Sequence, residues 1–316
     1  MTTISKQVSH PQSHIMPLAA LDLVPTKRIP PVVHPLTLFP KARLIYHCDN
    51  GIRQIYDLGN GLLYKFRPHR LAVYESDIHA LIKRTTTIPV PDIYYEWVTV
   101  EGGHGGDGCG TSGGSGVAEY VHHMVMEKIE GEPLTVAWKH LDKMGKENLV
   151  LQFTNCLNEL RTITSPSIRS VNGGPLYDEL GALFDRKNTS QGPFTDNESL
   201  WLAMTSHLRD NPSSGLQQIL IELSLLMPQS FPAVLTHSDL HQGNILVRNG
   251  RMAAIIDWEG AGFFPSWMEY VQYHPIVDAP ELEFEHMVVK SMQAYPIARE
   301  FMAVIDGLRA LDAETA

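Results

Sequence analysis

The sequence predicts an α+β protein with its β-structure and its helices segregated along the chain. Residues 42–66 hold three short β-rich runs, at 43–47, 53–58 and 62–66, the last two joined by Gly59-Asn60-Gly61. Residues 143–162 carry Leu149, Phe153, Leu157 and Leu160 at helical spacing. Residues 245–256 form two apolar runs about Asn249-Gly250, the dipeptide of a two-residue type I′ hairpin turn. An antiparallel sheet with one main helix is therefore expected first. A mostly helical part carrying the hairpin follows.

Length and composition bound the reading. A chain of 316 residues with 43% hydrophobic side chains can bury a sizeable core as one large domain or two lobes. A net charge of −10 argues against nucleic acid as a partner and fits plain solubility. Cys48, Cys109 and Cys156 are widely spaced and odd in number, which speaks against a disulfide framework and for a reducing compartment. Neither an apolar run of spanning length nor a secretory h-region occurs, so a cytoplasmic monomer without membrane contact is the expectation.

Residues 1–40 are studded with proline and read as a mobile or draped arm, with room for a short helix at 18–23. Lys65 sits in the third run between Tyr64 and Phe66, where an ammonium group needs an anion. Residues 71–84 form a helical stripe of Leu71, Tyr74, Ile78, Leu81 and Ile82. Glu75 lies on or beside the apolar face of that stripe, and Lys65 is the nearest cation for it. Between the first two strands, Cys48-Asp49-Asn50-Gly51-Ile52 offers one flexible glycine and no G-x-G-x-x-G pattern. A strand at 93–100 and another at 119–128 flank a Gly/Ser tract, loop 101–118. The tract lacks the Gly-Lys-Ser/Thr ending of a phosphate cradle and reads as a flexible connection.

Helices are expected at 133–141, with Pro133 in its first turn, and at 143–162. Residues 163–198 are rich in Ser, Gly, Pro and Asn and read as a long irregular segment. Further helices fit 200–209, 216–227 and 294–311. The acidic run 278–285 reads as a solvated first helical turn in preference to a cation-binding wall.

The most informative stretch is 234–262, VLTHSDLHQGNILVRNGRMAAIIDWEGAG. If the hairpin turns at Asn249-Gly250, Asn244 lies opposite Ile255, and Asn244 and Asp257 become diagonal neighbours on one face. The other face would then bury Ile245, Val247, Met252, Ala254 and Ile256. An amide oxygen and a carboxylate so placed can share a hard cation. Asp239 stands five residues before Asn244, and His-x-Asp-x-x-x-x-Asn followed by Asp after a hairpin is the spacing of phosphoryl-transfer enzymes. Asp239 would accept a hydroxyl proton. Asn244 and Asp257 would bind Mg²⁺. His237 would buttress the loop.

THSDLHQGNILV followed by AAIIDWEGAGFFP resembles the aminoglycoside phosphotransferase family, in the form of its fungal branch. The resemblance covers about residues 42–275. It implies a bilobal protein-kinase-like fold, with an arm at 1–40, a nucleotide-binding lobe at 41–128 and a second lobe at 129–316. It carries Lys65 and Glu75 onto the grip on the ATP phosphates, with the Asn50-Gly51 loop above them. It carries the backbones of Glu127 and Ile129 onto the adenine-binding hinge. The implied activity is ATP- and Mg²⁺-dependent phosphoryl transfer to a small-molecule hydroxyl. Two departures stand out: Ser238 where glycine is common, and Pro265-Ser266-Trp267-Met268-Glu269, displaced by one residue from the family's Pro-x-x-Trp-Glu. A nucleotide-binding scaffold without turnover is the alternative. A protein kinase ranks lower, since His-Ser-Asp and Asp-Trp-Glu replace the protein-kinase sequences and no Ala-Pro-Glu segment follows.

Overall fold

The computed structural model describes residues 26–48, 53–69, 73–101, 119–178, 181–184, 189–273 and 282–315. Asn50, Gly51, Cys109, nearly all of the Gly/Ser tract, the expected helix at 18–23 and residues 278–281 of the acidic run lie outside them.

The first lobe is a five-stranded antiparallel sheet in the order β1-β2-β3-β5-β4. Its strands are β1 (Arg43–Cys48), β2 (Arg53–Gly59), β3 (Leu62–Pro68), β4 (Ile93–Glu101) and β5 (Glu119–Glu127). Gly59, Asn60 and Gly61 all take positive φ in the β2–β3 turn, a conformation that glycine and asparagine adopt at least cost. β3 is central, so Lys65 pairs with Ile55 on one side and Met124 on the other, and is not an edge residue. Side chains alternate across the sheet. Tyr64 and Phe66 join Trp97 and Val125 in a small apolar cluster on one face, which leaves Lys65 and Arg67 to the other.

Residues 26–40 of the arm lie over this lobe. Its helix α1 (Pro35–Leu38) brings Leu36 and, just after it, Phe39 against the outer cluster. Upstream, Lys27 N–H donates to Tyr94 O and Glu96 N–H donates to Lys27 O, both at 3.0 Å. β4 is the edge strand, so this short parallel pairing covers an open ladder. The main helix α2 (Glu75–Thr85) packs on the opposite side. It starts later than its apolar stripe suggested, because Tyr74 is still extended at φ −85 and ψ 137.

The second lobe begins with β6 (Glu132–Pro133), then α3 (Leu134–Ala137) and a 3₁₀ turn, Trp138–His140. The single helix expected at 133–141 is thus divided, and Pro133 precedes it, paired with Leu246. Next, α4 (Lys143–Thr162) matches its expected span. Asp142 caps it by accepting the Gly145 N–H at 2.8 Å, worth about 1 kcal/mol. Its stripe of Leu149, Phe153, Leu157 and Leu160 is buried at the centre of the main core, with Trp258, Trp267 and Phe284.

Residues 163–198 are less irregular than their composition suggested. They hold β7 (Thr164–Ser165), β8 (Arg169–Ser170), β9 (Leu176–Asp178) and β10 (Thr189–Gln191). Two- and three-residue strands leave no alternating pattern to read. β7 and β8 flank β11 (Ala233–Thr236) and β14 (Gly262–Phe264) in the order β7-β11-β14-β8. The helix expected at 200–209 is two, α5 (Asn197–Met204) and α6 (Ser206–Arg209), broken at Thr205. Helices α7 (Ser214–Leu226), α8 (Met268–Tyr273), α9 (Glu283–Ser291) and α10 (Pro296–Thr315) complete the lobe.

The hairpin corrects one expectation. β12 (Ile245–Arg248) and β13 (Arg251–Ile255) turn at Asn249-Gly250, with φ of 53 and 70 as a type I′ turn requires. The pairs Arg248–Arg251 and Val247–Met252 keep the expected register, but Leu246 then pairs with Ala254 and Ile245 with Ile255. Ala253 is the extra residue of a β-bulge. The bulge inverts the parity beyond it. Asn244 therefore lies opposite Ile256, whose N–H donates to Asn244 O at 2.9 Å, and not opposite Ile255. Ile255 turns into the core in place of Ile256, which faces the cleft between the lobes.

Candidate active site

The cleft between β1–β3 and the hairpin has a volume of about 520 Å³ and is walled by Lys65, Asp239, Asn244, Ile256, Asp257 and Glu259, with Tyr46, Cys48 and Arg53 on its first-lobe side. Each charged member is placed by an identifiable local feature.

Asp239 lies in the loop leaving β11. Hydrogen bonds within the loop and to neighbouring elements satisfy its polar groups. His237 is fully buried, and its Nδ1 accepts the Asp239 N–H at 3.3 Å while Nε2 donates to Ile256 O at 3.0 Å. This pair of roles requires a neutral ring, and burial indeed pushes its pKa down to about 4. Ser238 takes φ 69, the left-handed region where glycine would sit more easily. Its Oγ donates to Gly260 O at 2.8 Å, a bond that glycine cannot make. A Cβ at Gly260 would stand 2.5 Å from that Oγ, so glycine there leaves room for the bond. The displaced segment also serves the loop: Glu269, buried on α8, accepts the His237 N–H at 3.1 Å. Burial raises the Glu269 carboxyl to about 7 against the pull of that bond.

Asn244 closes the loop. Its Nδ2 donates to Asp239 O at 2.9 Å and lies 3.4 Å from Asp239 Oδ2. The amide is thereby oriented with its oxygen as the group left to act as a ligand. Burial raises the Asp239 carboxyl above its ordinary value, and the charge of Asp257 adds to this while His241 opposes it.

Asp257 follows the bulged strand in a left-handed conformation, φ 65 and ψ 55, at the start of the 3₁₀ turn Trp258–Gly260. One of its oxygens, Oδ1, lies 2.5 Å from Lys65 Nζ. Lys65 is also 3.7 Å from Glu75 Oε2, so the expected strand–helix pair forms, with Asp257 as the closer partner. Burial disfavours the Lys65 ammonium, but Asp257 and Glu75 outweigh it and raise its pKa. Glu75 is 1% exposed, and despite burial its pKa is held well below normal by Lys65 and by His79 at 3.6 Å.

Three residues of this network were not singled out from the sequence. Glu259 pairs with Arg53 of β2 and with Arg67 of β3, and Arg67 also stands 3.9 Å from Glu75. Burial raises the Glu259 carboxyl, but Arg67, Lys65 and Arg53 overcome it and hold it at about 2. The clasp joins the sheet of the first lobe to the turn after Asp257. Its sequence signal was available: arginines inside strands need anions as Lys65 does.

The carboxylates of Glu75, Asp257 and Glu259 offer oxygens within 4.8 Å of one another. Glu259 is paired with Arg53 and Arg67, and Glu75 shares Lys65 with Asp257 Oδ1, so the second oxygen of Asp257 and the amide oxygen of Asn244 are the donors suited to a cation. Hard oxygens few in number fit Mg²⁺, which keeps waters and phosphate oxygens for its other positions. Glu127 and Ile129 do not figure among the described residues lining the cleft. The Glu127 N–H donates to Asp92 O at 2.8 Å, so only its carbonyl remains for a ligand.

A model of the phosphotransferase enzyme family matches residues 65–285. No curated protein matches the chain. Among solved structures it is similar to the aminoglycoside phosphotransferase APH(2")-IIa in complex with streptomycin and ATP, at 15% identity, covering 86% of this chain and 85% of that one, with a TM-score of 0.48. It is similar to ADP-bound APH(2'')-Ib at 15% identity, covering 85% of each chain, with a TM-score of 0.49. It is also similar to an aminoglycoside-3'-phosphotransferase of type VIII, at 14% identity over 86% of this chain and 95% of that one, with a TM-score of 0.46.

Proposed function

This chain belongs to the phosphotransferase enzyme family, and on that premise we propose that it transfers the γ-phosphoryl group of ATP to a hydroxyl of a small molecule. The observation that carries the proposal is the Asn244 amide. Its Nδ2 donates to Asp239 O, and Asp239, Asn244 and Asp257 all line the same cleft, so the proposed base and cation ligands stand together. Asp239 takes the proton of the acceptor hydroxyl as that oxygen bonds to phosphorus and ADP departs. Its raised pKa brings it nearer the range in which a carboxylate both accepts and releases a proton. Asn244 and Asp257 hold Mg²⁺, which neutralises the phosphate oxygens when bound. Lys65, held by Glu75, orients the phosphates. Burial of Lys65 and Glu75 strengthens their pairing.

The test is transfer of labelled phosphate from ATP across a library of hydroxyl-bearing metabolites, cationic and neutral, with Asp239→Asn as the blank. A phosphorylated product seen with the wild type and lost in the blank supports the reading. Binding of Mg²⁺ and ATP with no product from any acceptor favours a scaffold instead.

A further inference from the structure

The Lys65–Glu75 pair depends on where α2 begins, because Glu75 is the first residue of that helix. The first N–H groups of a helix have no partner within it. Tyr74, at the N-cap position, supplies no side-chain bond. Those groups are satisfied from the sheet. Glu96, fully buried on β4, accepts the Glu75 N–H on Oε1 at 2.7 Å and the Ser76 N–H on Oε2 at 3.0 Å. His122 on β5 stands behind it, Nε2 lying 2.9 Å from Oε1. A carboxylate is the favoured group at this end of a helix dipole. A second hold comes from the arm. Arg28 donates to Ser76 Oγ at 3.2 Å, pairs with Asp77, and stacks on Tyr74 with its guanidinium carbon 4.2 Å from the ring centroid. The arm and Glu96 are themselves linked by the bond from Glu96 N–H to Lys27 O.

We propose that Glu96, backed by His122 and assisted by Arg28, is a positioning residue that bolts the start of α2 to the sheet and so sets Glu75 onto Lys65. Its functional consequence rests on the phosphotransfer reading above. In this arrangement β3 carries Lys65, while β4 and β5 carry the groups that place its partner. The grip is therefore built into one sheet and does not wait on a movement of the helix. Glu96 makes no contact with the cleft, so its effect passes through Glu75.

The test uses Glu96→Gln in the full chain, in the wild-type and in the Glu75→Ala backgrounds. Two quantities are read: amide hydrogen exchange over residues 75–79, and the dissociation constant for ATP with Mg²⁺. Gln keeps the shape but turns an NH₂ group toward one amide. Exchange in the first turn of α2 should quicken, and Mg·ATP binding should weaken by about tenfold, the worth of one charge-assisted hydrogen bond. In the Glu75→Ala background the same change should add little. Faster exchange with unchanged affinity, or an equal loss in both backgrounds, makes Glu96 an ordinary helix cap and overturns the proposal. Should Glu96→Gln not fold, the half-exposed Arg28→Ala gives the same pattern at about threefold, a fraction of a fully buried bond. A wild type that does not bind Mg·ATP overturns the phosphotransfer reading, and the positioning role falls with it. The exchange result alone then reports the cap.

Discussion

The main-chain N–H of Trp258, the residue after Asp257, donates to Oε1 of Glu75 at 3.2 Å. One carboxylate on the first-lobe helix thus holds Lys65 with one oxygen and fixes the turn that carries Asp257 with the other. The proposed phosphate grip and the proposed cation ligand are coupled through a single side chain.

That coupling predicts the outcome of a mutant cycle. Lys65→Ala and Glu75→Ala should each weaken Mg·ATP binding, the first by removing the positioned cation and the second by freeing it. Residues in direct contact couple by roughly 0.5–3 kcal/mol, so the double variant should fall short of the summed losses by an amount in that range. Binding titrations on the four proteins measure it, and strict additivity would refute the pairing. Glu75→Ala should also lose more stability in denaturant than Lys65→Ala, since it alone frees the Trp258 amide.

Much of this frame was legible in the sequence, and the misses have physical causes. Strands β2 and β3 and helix α4 announce themselves by local pattern, and Asn249-Gly250 by turn chemistry. The bulge at Ala253 does not, because it is set by how the strand meets Asp257 and the core. Lys65 and Glu75 were readable as two buried opposite charges one element apart. Arg53 and Arg67 carried the same signal of a cation inside a strand, but their anion was not identifiable, since Glu259 lies 206 residues from Arg53. Glu96 reads as one polar residue in an apolar strand until the start of α2 is seen above it. Of the short strands of 163–198, β7 and β8 pair with β11 and β14, which come later in the chain.

The buried ring of His237 makes stability depend on pH. Burial lowers its pKa to about 4 in the folded chain, against 6.5 when exposed. The unfolded chain therefore binds a proton that the folded chain refuses, and stability falls as pH drops from about 6.5 to about 4. A shift of this size corresponds to about 3 kcal/mol across the window. Glu269, raised to about 7, contributes the opposite slope. The His237 part is therefore read as the pH-dependent difference in thermal midpoint between wild type and His237→Gln, which should narrow as pH falls from about 6.5 to about 4. Parallel curves for the two proteins would show that the ring does not carry it.

The Gly/Ser tract should be dispensable. Glu101 at the end of β4 pairs directly with Glu119 at the start of β5, so the intervening residues return the chain to the rung it left. Replacing residues 102–118 by Asn-Gly keeps that rung with a two-residue turn. Shortening a loop changes closure entropy slowly, so stability should stay within about 1 kcal/mol. Denaturant unfolding checks this. Mg·ATP affinity should not change either, and its loss would give the tract a part in the nucleotide site.

Asp239 and Asp257 should separate base from ligand. Asp257 sits beside Lys65 with one oxygen committed to it, and Asp239 stands next to the Asn244 amide in the same cleft. Asp257→Ala removes the carboxylate of the proposed cation site and leaves Lys65 to Glu75. It should raise the Mg²⁺ concentration needed for ATP binding and nearly abolish turnover. Asp239→Asn preserves shape and the Asn244 contact but loses the proton acceptor. Turnover should drop by roughly 10²–10⁴, the usual worth of a positioned base, with Mg·ATP binding retained. The measurements are Mg²⁺-dependent ATP titrations on both variants and single-turnover rates with whichever acceptor the library yields. Equal loss of metal affinity in the two variants would reverse the assignment of roles. Unchanged turnover in both would remove the cleft from the chemistry altogether.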